Sequence, residues 1–272
     1  MKPHPFDYVR ADSVNEATEM LAEHGDAARV LAGGQSLLVL LNLRLLEPAM
    51  LIDITGIADL SHIREVDGKI EVGAAVTQNR LLAWPGLAEK LPLLAAALPS
   101  VGHFQTRNKG TVCGSVAHAD PSSEIPLSLA MLQGEVVLRS RRGVRTLPAS
   151  EFQVGMLTTA RQPDELVTAV RFPVQANRRV AFREVARRHG DFAIVALAAI
   201  TDGNKIRLGV GGMTDRPTIR EFSVGSDLPD AINALAWELE GYEDMHASSR
   251  MRRDLLRRVG PVVIEEALQC AA

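Results

Sequence analysis

The sequence predicts an α+β protein on three observations: helical and strand patterns alternate over its first third, strands dominate its middle, and its end is helical. Its 272 residues are long for one domain and comfortable for two or three, at roughly 100–200 residues each. No internal repeat of roughly 20–50 residues is present.

Each element has a local reason. Ser13 reads as an N-cap and Glu16 completes a capping box; Ala17, Met20 and Leu21 follow at helical spacing, and Gly25 stops the helix. Residues 29–32 form a short apolar strand that runs into Gly33-Gly34-Gln35-Ser36. An apolar stretch follows, then a buried strand over 50–54, making a β-loop-α-β unit with its loop at the carboxyl end of a strand. Residues 69–74 alternate as a strand, Thr77 caps a helix through Trp84, and 92–98 form another short helix. Residues 110–126 turn polar and glycine-containing, which predicts a loop or loop-strand segment. Strands over 135–139 and 144–147 are joined by the basic Arg141-Arg142-Gly143 turn, and 166–173 is another. The polar run 175–179 after Pro173 marks a boundary. Beyond it, 180–185, 193–201 and 205–210 are strands, with Asp202-Gly203-Asn204 a hairpin turn between the last two. Helices over 229–239, 249–259 and 261–268 close the chain. Arg250, Arg252, Arg253, Arg257 and Arg258 make the middle one basic, which reads as a solvated face.

Composition excludes several functions. Hydrophobic residues at 46% and charged residues at 23% rule out disorder. Aromatics at 4% argue against stacked-base recognition, and a net charge of −3 gives no electrostatic reason to bind nucleic acid or a membrane. Cys113 and Cys270 are too few for a thiolate-ligated cluster or a disulfide framework. The N-terminus lacks the apolar core of a signal peptide, and the run 37–46, broken by Asn42 and Arg44, is too short to span a bilayer. A soluble, cytoplasmic protein is expected. The seven histidines show no metal spacing, and no G-x-S-x-G or carboxylate pair supports hydrolysis.

Two segments carry chemistry. In Ala32-Gly33-Gly34-Gln35-Ser36-Leu37, paired glycines after a strand allow a tight turn that presents N–H groups, and Ser36 adds a hydroxyl. Such a site suits phosphate or pyrophosphate, although it is neither G-x-G-x-x-G nor a P-loop, and a Gly-Gly turn alone is often only a turn. The second segment runs from Arg107 through Gly110-Thr111-Val112-Cys113-Gly114-Ser115 to Glu124, with His118 and Asp120 between. It offers hydroxyls, glycines and acidic groups suited to ribose or adenine. Two such loops in one chain point to a large phosphate-bearing ligand.

These residues resemble the two FAD loops of the molybdenum hydroxylase flavoprotein (medium) subunit, the family of carbon monoxide, xanthine and nicotine dehydrogenases. The resemblance extends to Pro5-Phe6-Asp7-Tyr8, Leu51-Ile52-Asp53-Ile54, Val72-Gly73-Ala74, residues 186–193 (ARRHGDFA) and Gly209-Val210-Gly211-Gly212. It covers nearly the whole chain, in order. It implies a vanillyl-alcohol-oxidase-type FAD-binding domain over 1–174, in two α/β subdomains of about 1–57 and 58–174. A small C-terminal domain over 178–272, with an antiparallel sheet and helices, would follow.

The resemblance also implies roles. Ala32, Gly33, Gly34, Gln35, Ser36 and Leu37 would wrap the pyrophosphate, with Thr111, Val112, Cys113, Gly114 and Ser115 on its other side. Val101 would join the cofactor-binding residues, Glu124 would contact the ribose end, Phe192 would cover a flavin face, and Arg183 would stand where relatives carry a Lys near the flavin. Cys113 departs from the family's Gly-Gly pair, Gln133-Gly134 from its Asp-Ala, and Arg183 from its Lys. A covalent flavin link through Cys113 is the lesser reading beside a small buried side chain. The implied activity is that of an FAD-dependent oxidoreductase subunit with non-covalent FAD and no metal or catalytic residue of its own. It would take electrons from [2Fe–2S] clusters on a small partner subunit and pass them to an external acceptor. A large subunit would carry the molybdenum cofactor, in a heterotrimer or a dimer of heterotrimers. The alternatives are a stand-alone flavin oxidase of the same fold and a flavin-free nucleotide-binding or assembly module.

Overall fold

Ser13 caps the first helix as its spacing predicts: its hydroxyl accepts from the Glu16 N–H at 3.1 Å. The Glu16 carboxylate reaches back to the N–H of Asp12. A computed structural model describes residues 2–225 and 227–269, so Cys270 lies outside the described residues. The chain opens with β1 (Asp7–Arg10), α1 (Val14–His24), β2 (Ala28–Leu31), α2 (Leu37–Asn42) and β3 (Met50–Asp53). Its three strands form a parallel sheet in the order β1-β3-β2. β1 carries no alternation to reveal it. It exists through its pairing with β3, reinforced by the Tyr8 hydroxyl donating to Asp53 at 2.5 Å.

The next stretch holds β4 (Ile63–Val66), β5 (Lys69–Gly73), α3 (Gln78–Leu82), α4 (Leu87–Lys90), α5 (Pro92–Ala97) and α6 (Phe104–Lys109). Then come α7 (Val112–His118), α8 (Glu124–Met131), β6 (Glu135–Ser140), β7 (Gly143–Pro148) and α9 (Ala149–Phe152). The stretch ends with β8 (Gln153–Gly155), β9 (Thr158–Thr159) and β10 (Leu166–Pro173). Five strands make an antiparallel sheet, β4-β5-β10-β6-β7, while β8 and β9 pair with each other. Asp67 and Gly68, both at positive φ, form the tight turn that brings β4, which lacks a sequence signal, onto β5.

The polar segment 110–126 is not the loop expected but holds α7 and the start of α8. Thr111 caps α7 by accepting from the Gly114 N–H at 2.9 Å, and Val112, Cys113 and Val116 turn inward. Helix α8 is buried almost all round, so it shows no amphipathic period to read.

The last part is a meander of β11 (Arg179–Val185), β12 (Val195–Asp202), β13 (Lys205–Gly211) and β14 (Thr218–Ser223), with α10 (Leu228–Leu239) and α11 (Ser249–Gln269). β12 is apolar on both faces: Ala196, Ala198 and Ile200 pack into the core of the preceding sheets, Val195, Leu197 and Ala199 against the α10–α11 layer. The two helices expected over 249–259 and 261–268 are one, with Pro261 inside it. Gly260 precedes that proline and has no Cβ to clash with its ring, so the helix continues. The basic face is not wholly solvated either. Arg252 is 1% exposed and donates to the carbonyls of Ile194 and Gly212 and to Asp244. Among the described residues, no helix is long and apolar enough to cross a membrane.

Candidate cofactor site

Both glycine-containing loops reach one place. The first leaves the carboxyl end of β2, and the second joins α6 to α7. The second is pinned by an antiparallel bridge between Thr77 and Thr111 and by hydrogen bonds from Gln78 N to Gly110 O and Val112 N to Val76 O. The loops touch at Gly33, where a Cβ would lie 2.3 Å from the Lys109 carbonyl oxygen and 2.6 Å from the Gly110 Cα. Gly34 takes the left-handed φ of +69° that turns the chain into α2. The carbonyls of Gly33, Gly34 and Ser36 accept from Gln35 Nε2, Leu38 N and Leu40 N. The turn thus engages its acceptors internally.

Between the loops lies a cleft of about 600 Å³, lined by Ala32, Gly33, Gly34, Gln35, Ser36, Leu37, Val101, Thr111, Cys113, Gly114, Ser115, Glu124 and Phe192. That volume suits a substantial ligand. Two expected residues stand apart. Val112 is fully buried in the core because the helical turn begun at Thr111 points it inward. Arg183, on β11, is turned to α11 and pairs with the Glu266 carboxylate, so it does not line the cleft. The structure adds Arg29 and Arg161, two cations on the cleft wall. Arg161 donates to the carbonyls of Gln162, Pro163 and Glu165, and burial lowers its pKa. Arg29 stands on β2 just before the first loop, without a pattern to mark it, and Arg161 comes to the cleft from a segment far off in sequence. A glycine turn, hydroxyls at Ser36 and Ser115, two guanidiniums and apolar walls make a donor set that fits a phosphate-bearing cofactor such as FAD.

Cys113 sits in α7 with a helical backbone, so no positive φ demands glycine there. Its thiol donates to the Val72 carbonyl at 3.4 Å, and burial raises its pKa, which keeps it protonated and unreactive. Cys113→Gly is therefore expected to lower stability by about 1 kcal/mol, the cost of glycine inside a helix. The cofactor of both proteins should appear wholly in the supernatant after acid precipitation. Flavin kept in the wild-type pellet alone would show a covalent bond. Glycine belongs instead at Gly114, where a Cβ would crowd the Thr111 Oγ1 cap at 2.7 Å.

Glu124 is not a simple acidic contact. Burial pushes its carboxyl up to about 8, with Glu184 next to it adding to the rise, and burial pushes Glu184 up to about 7. Among the described residues the Oε2 of Glu184, beside Glu124, has no hydrogen-bond partner. The pair therefore retains protons at neutrality that the unfolded chain, with carboxyls near ~4.3, releases. Their contribution to stability is complete below the unfolded value and is lost as pH rises through the folded ones. Melting of the chain at rising pH should show stability falling between about pH 5 and 8. Glu124→Gln should flatten that fall; an unchanged slope in the variant would remove the pair as its source. His118, also on the cleft wall, is held below the usual imidazole range by burial.

The family described as the FAD binding domain in molybdopterin dehydrogenase matches residues 4–175. The caffeine dehydrogenase subunit beta of Pseudomonas sp. (strain CBB1) is 41% identical, over 100% of this chain and 96% of its own. Quinoline 2-oxidoreductase from Pseudomonas putida 86 superposes with a TM-score of 0.92 at 33% identity, over 99% of both chains. Carbon monoxide dehydrogenase from Hydrogenophaga pseudoflava does so with a TM-score of 0.93 at 29% identity, over 100% of both.

Proposed function

The chain belongs to the FAD-binding domain family of molybdopterin dehydrogenases, and from that membership we propose that it relays electrons from the [2Fe–2S] clusters of a small partner subunit to an external acceptor. It is an oxidoreductase subunit that binds FAD. The substrate would be oxidised at a molybdenum cofactor on a large subunit, in a heterotrimer or a dimer of heterotrimers. The observation that carries this reading is the meeting of both glycine loops at one cleft. FAD, when bound there, supplies a two-electron store that can be filled one electron at a time.

The chain's own residues would hold and orient that cofactor. The turn at Gly33, Gly34, Gln35 and Ser36 and the start of α7 would hold the pyrophosphate, with Arg29 and Arg161 offsetting its charge. Val101 and Phe192 would shape the apolar part of the site, Phe192 at the flavin end. The chain would divide into 1–57, 58–174 and 178–272, with the cleft along the first two and closed by the third through Phe192. Glu124 would meet the cofactor as a neutral carboxyl, able to donate a hydrogen bond.

Reduction by substrate tests the assignment. The FAD-loaded chain alone should keep its ~450 nm absorbance in the presence of a heteroaromatic or aldehyde hydroxylase substrate, and should bleach once both partner subunits are added. Bleaching of the isolated chain would mark a stand-alone oxidase, and a chain that takes up no FAD would be the flavin-free module.

A further inference from the structure

Alternation along β11 divides its side chains between two layers. Arg183 turns to Glu266 on α11, whereas Phe182 packs against the core of the preceding sheets and Glu184 shares its face. That face brings Glu184 beside Glu124, the first residue of α8. Glu124 is 6% exposed and lines the cofactor cleft. Glu184 lines a separate outer cavity of about 440 Å³ with Ser100, Arg187, Arg188 and His189, the last three of them exposed. Two neighbouring carboxyls thus stand between the cleft and an opening to solvent.

The surroundings do not neutralise two negative charges. Among the described residues neither carboxyl is in an ion pair, and Glu184 Oε2 is buried without a partner. Of the adjoining elements, α5 has no charged residue, β12 none before Asp202, and α7 only His118, which burial keeps neutral above the usual imidazole range. Asp120, between α7 and α8, adds a further negative charge near Glu124. Around the outer cavity Arg183 is held by Glu266, Arg188 by Asp191, and Arg187 meets His246. Arg29 and Arg161 stand on the cleft wall, where a pyrophosphate would engage them. Two carboxyls so placed do not both ionise at neutrality. Glu124, the more deeply buried, keeps the shared proton, and the charge settles on Glu184.

We infer that Glu184 is a positioning residue for the cofactor: it carries the pair's negative charge on the outer side and leaves the proton on Glu124, so the cleft meets a hydrogen-bond donor instead of a carboxylate. The inference rests on the reading that FAD fills that cleft. When both carboxyls are ionised, binding of the doubly negative pyrophosphate draws one proton from water in the outer cavity through Glu184 to Glu124. No bond to the cofactor forms, and the proton returns by the same route on release.

Titration of the flavin-free full chain with FAD between about pH 6.5 and 9 tests this, with circular dichroism to follow the fold. Protons are counted near pH 8.5 from the binding heats in bicine and in Tris. Wild-type affinity should hold level to about pH 8 and then fall by up to about tenfold per unit, the limit for one proton, with net proton uptake. Glu184→Gln keeps the size but removes the like charge and offers its amide to the Glu124 carboxylate, so the fall should begin about one unit lower. Glu124→Gln presents a donor at every pH, so its affinity should stay level. A wild-type affinity that is level across the range, without proton uptake, would overturn the inference with no appeal to a variant. A Glu184→Gln profile that superposes on the wild type, or a fall that persists in Glu124→Gln, would overturn it as well. A chain that binds no FAD even at the acid end fails earlier, on the underlying reading, and is told apart by its missing flavin absorbance.

Discussion

Gly33→Ala is expected to strip the chain of its flavin. The added methyl would meet the Lys109 carbonyl oxygen at 2.3 Å and the Gly110 Cα at 2.6 Å, and both neighbours are backbone. Neither can rotate aside. The second loop is also fixed by the Thr77–Thr111 bridge and the Gln78 and Val112 amide bonds, so the first loop must lift away. Overpacking of this kind costs about 1–3 kcal/mol. It falls on the alignment of two loops that must hold one ligand, so FAD affinity should drop about a hundredfold, equivalent to ~2.7 kcal/mol. Gly34→Ala provides the contrast. Its φ of +69° costs a methyl-bearing residue ~1–2 kcal/mol, but the Cβ would meet only the Leu38 and Leu31 side-chain ends at 3.1–3.2 Å, which can give way. Its effect on FAD should be about tenfold smaller than that of Gly33→Ala. Titration of the flavin-free variants with FAD, with circular dichroism to follow the fold, measures both. Equal and undiminished affinities would dissolve the two-loop cradle.

Gly33 also shows what a sequence can and cannot disclose. The glycine pair after a strand, the Ser13 capping box and the alternation of β5 are local signals, and each stands where its pattern puts it. Elements without local signals escaped. β1 and β4 form only because a neighbouring strand offers its edge, and α8 is buried on every side, which erases the helical period. Thr111 had the chemistry of an N-cap, but the glycines after it mimic a loop. The same limit governs the site. The glycine loops are legible, while Arg161 enters the site through tertiary packing alone. Arg183 shows the converse error: a matching position in a strand does not fix where a long side chain goes, and the Glu266 carboxylate on α11 takes it.

Arg252→Met is expected to give the largest loss of stability outside the cofactor site. A row of five arginines reads as a solvated face, but Arg252 is buried where α11 crosses the ends of β12 and β13. One guanidinium nitrogen donates to the carbonyls of Ile194 and Gly212, another to the Asp244 carboxylate at 2.6 Å, and the group lies 4.0 Å from the centre of the Tyr242 ring. Methionine can fill much of the space but offers no donor, so two carbonyls and a carboxylate lose their shared partner. Each buried carbonyl left without its donor costs about 1–3 kcal/mol, which together lower the melting temperature of a chain of this size by on the order of 10 °C. Arg252→Lys keeps the charge but lacks the planar fork, so it should recover only part of the loss. The dependence on acid provides a second reading. Burial works against the Asp244 carboxylate, yet the N–H groups of Ala247 and His246 and the Arg252 guanidinium together hold it below the usual range. Its contribution is therefore present above the ordinary carboxylate pKa and is lost as pH falls through the depressed one. Thermal melts at neutral and acidic pH should show a smaller acid-induced loss in Arg252→Met than in the wild type. A variant that melts with the wild type at neutral pH would return Arg252 to the solvated face on which the sequence places it.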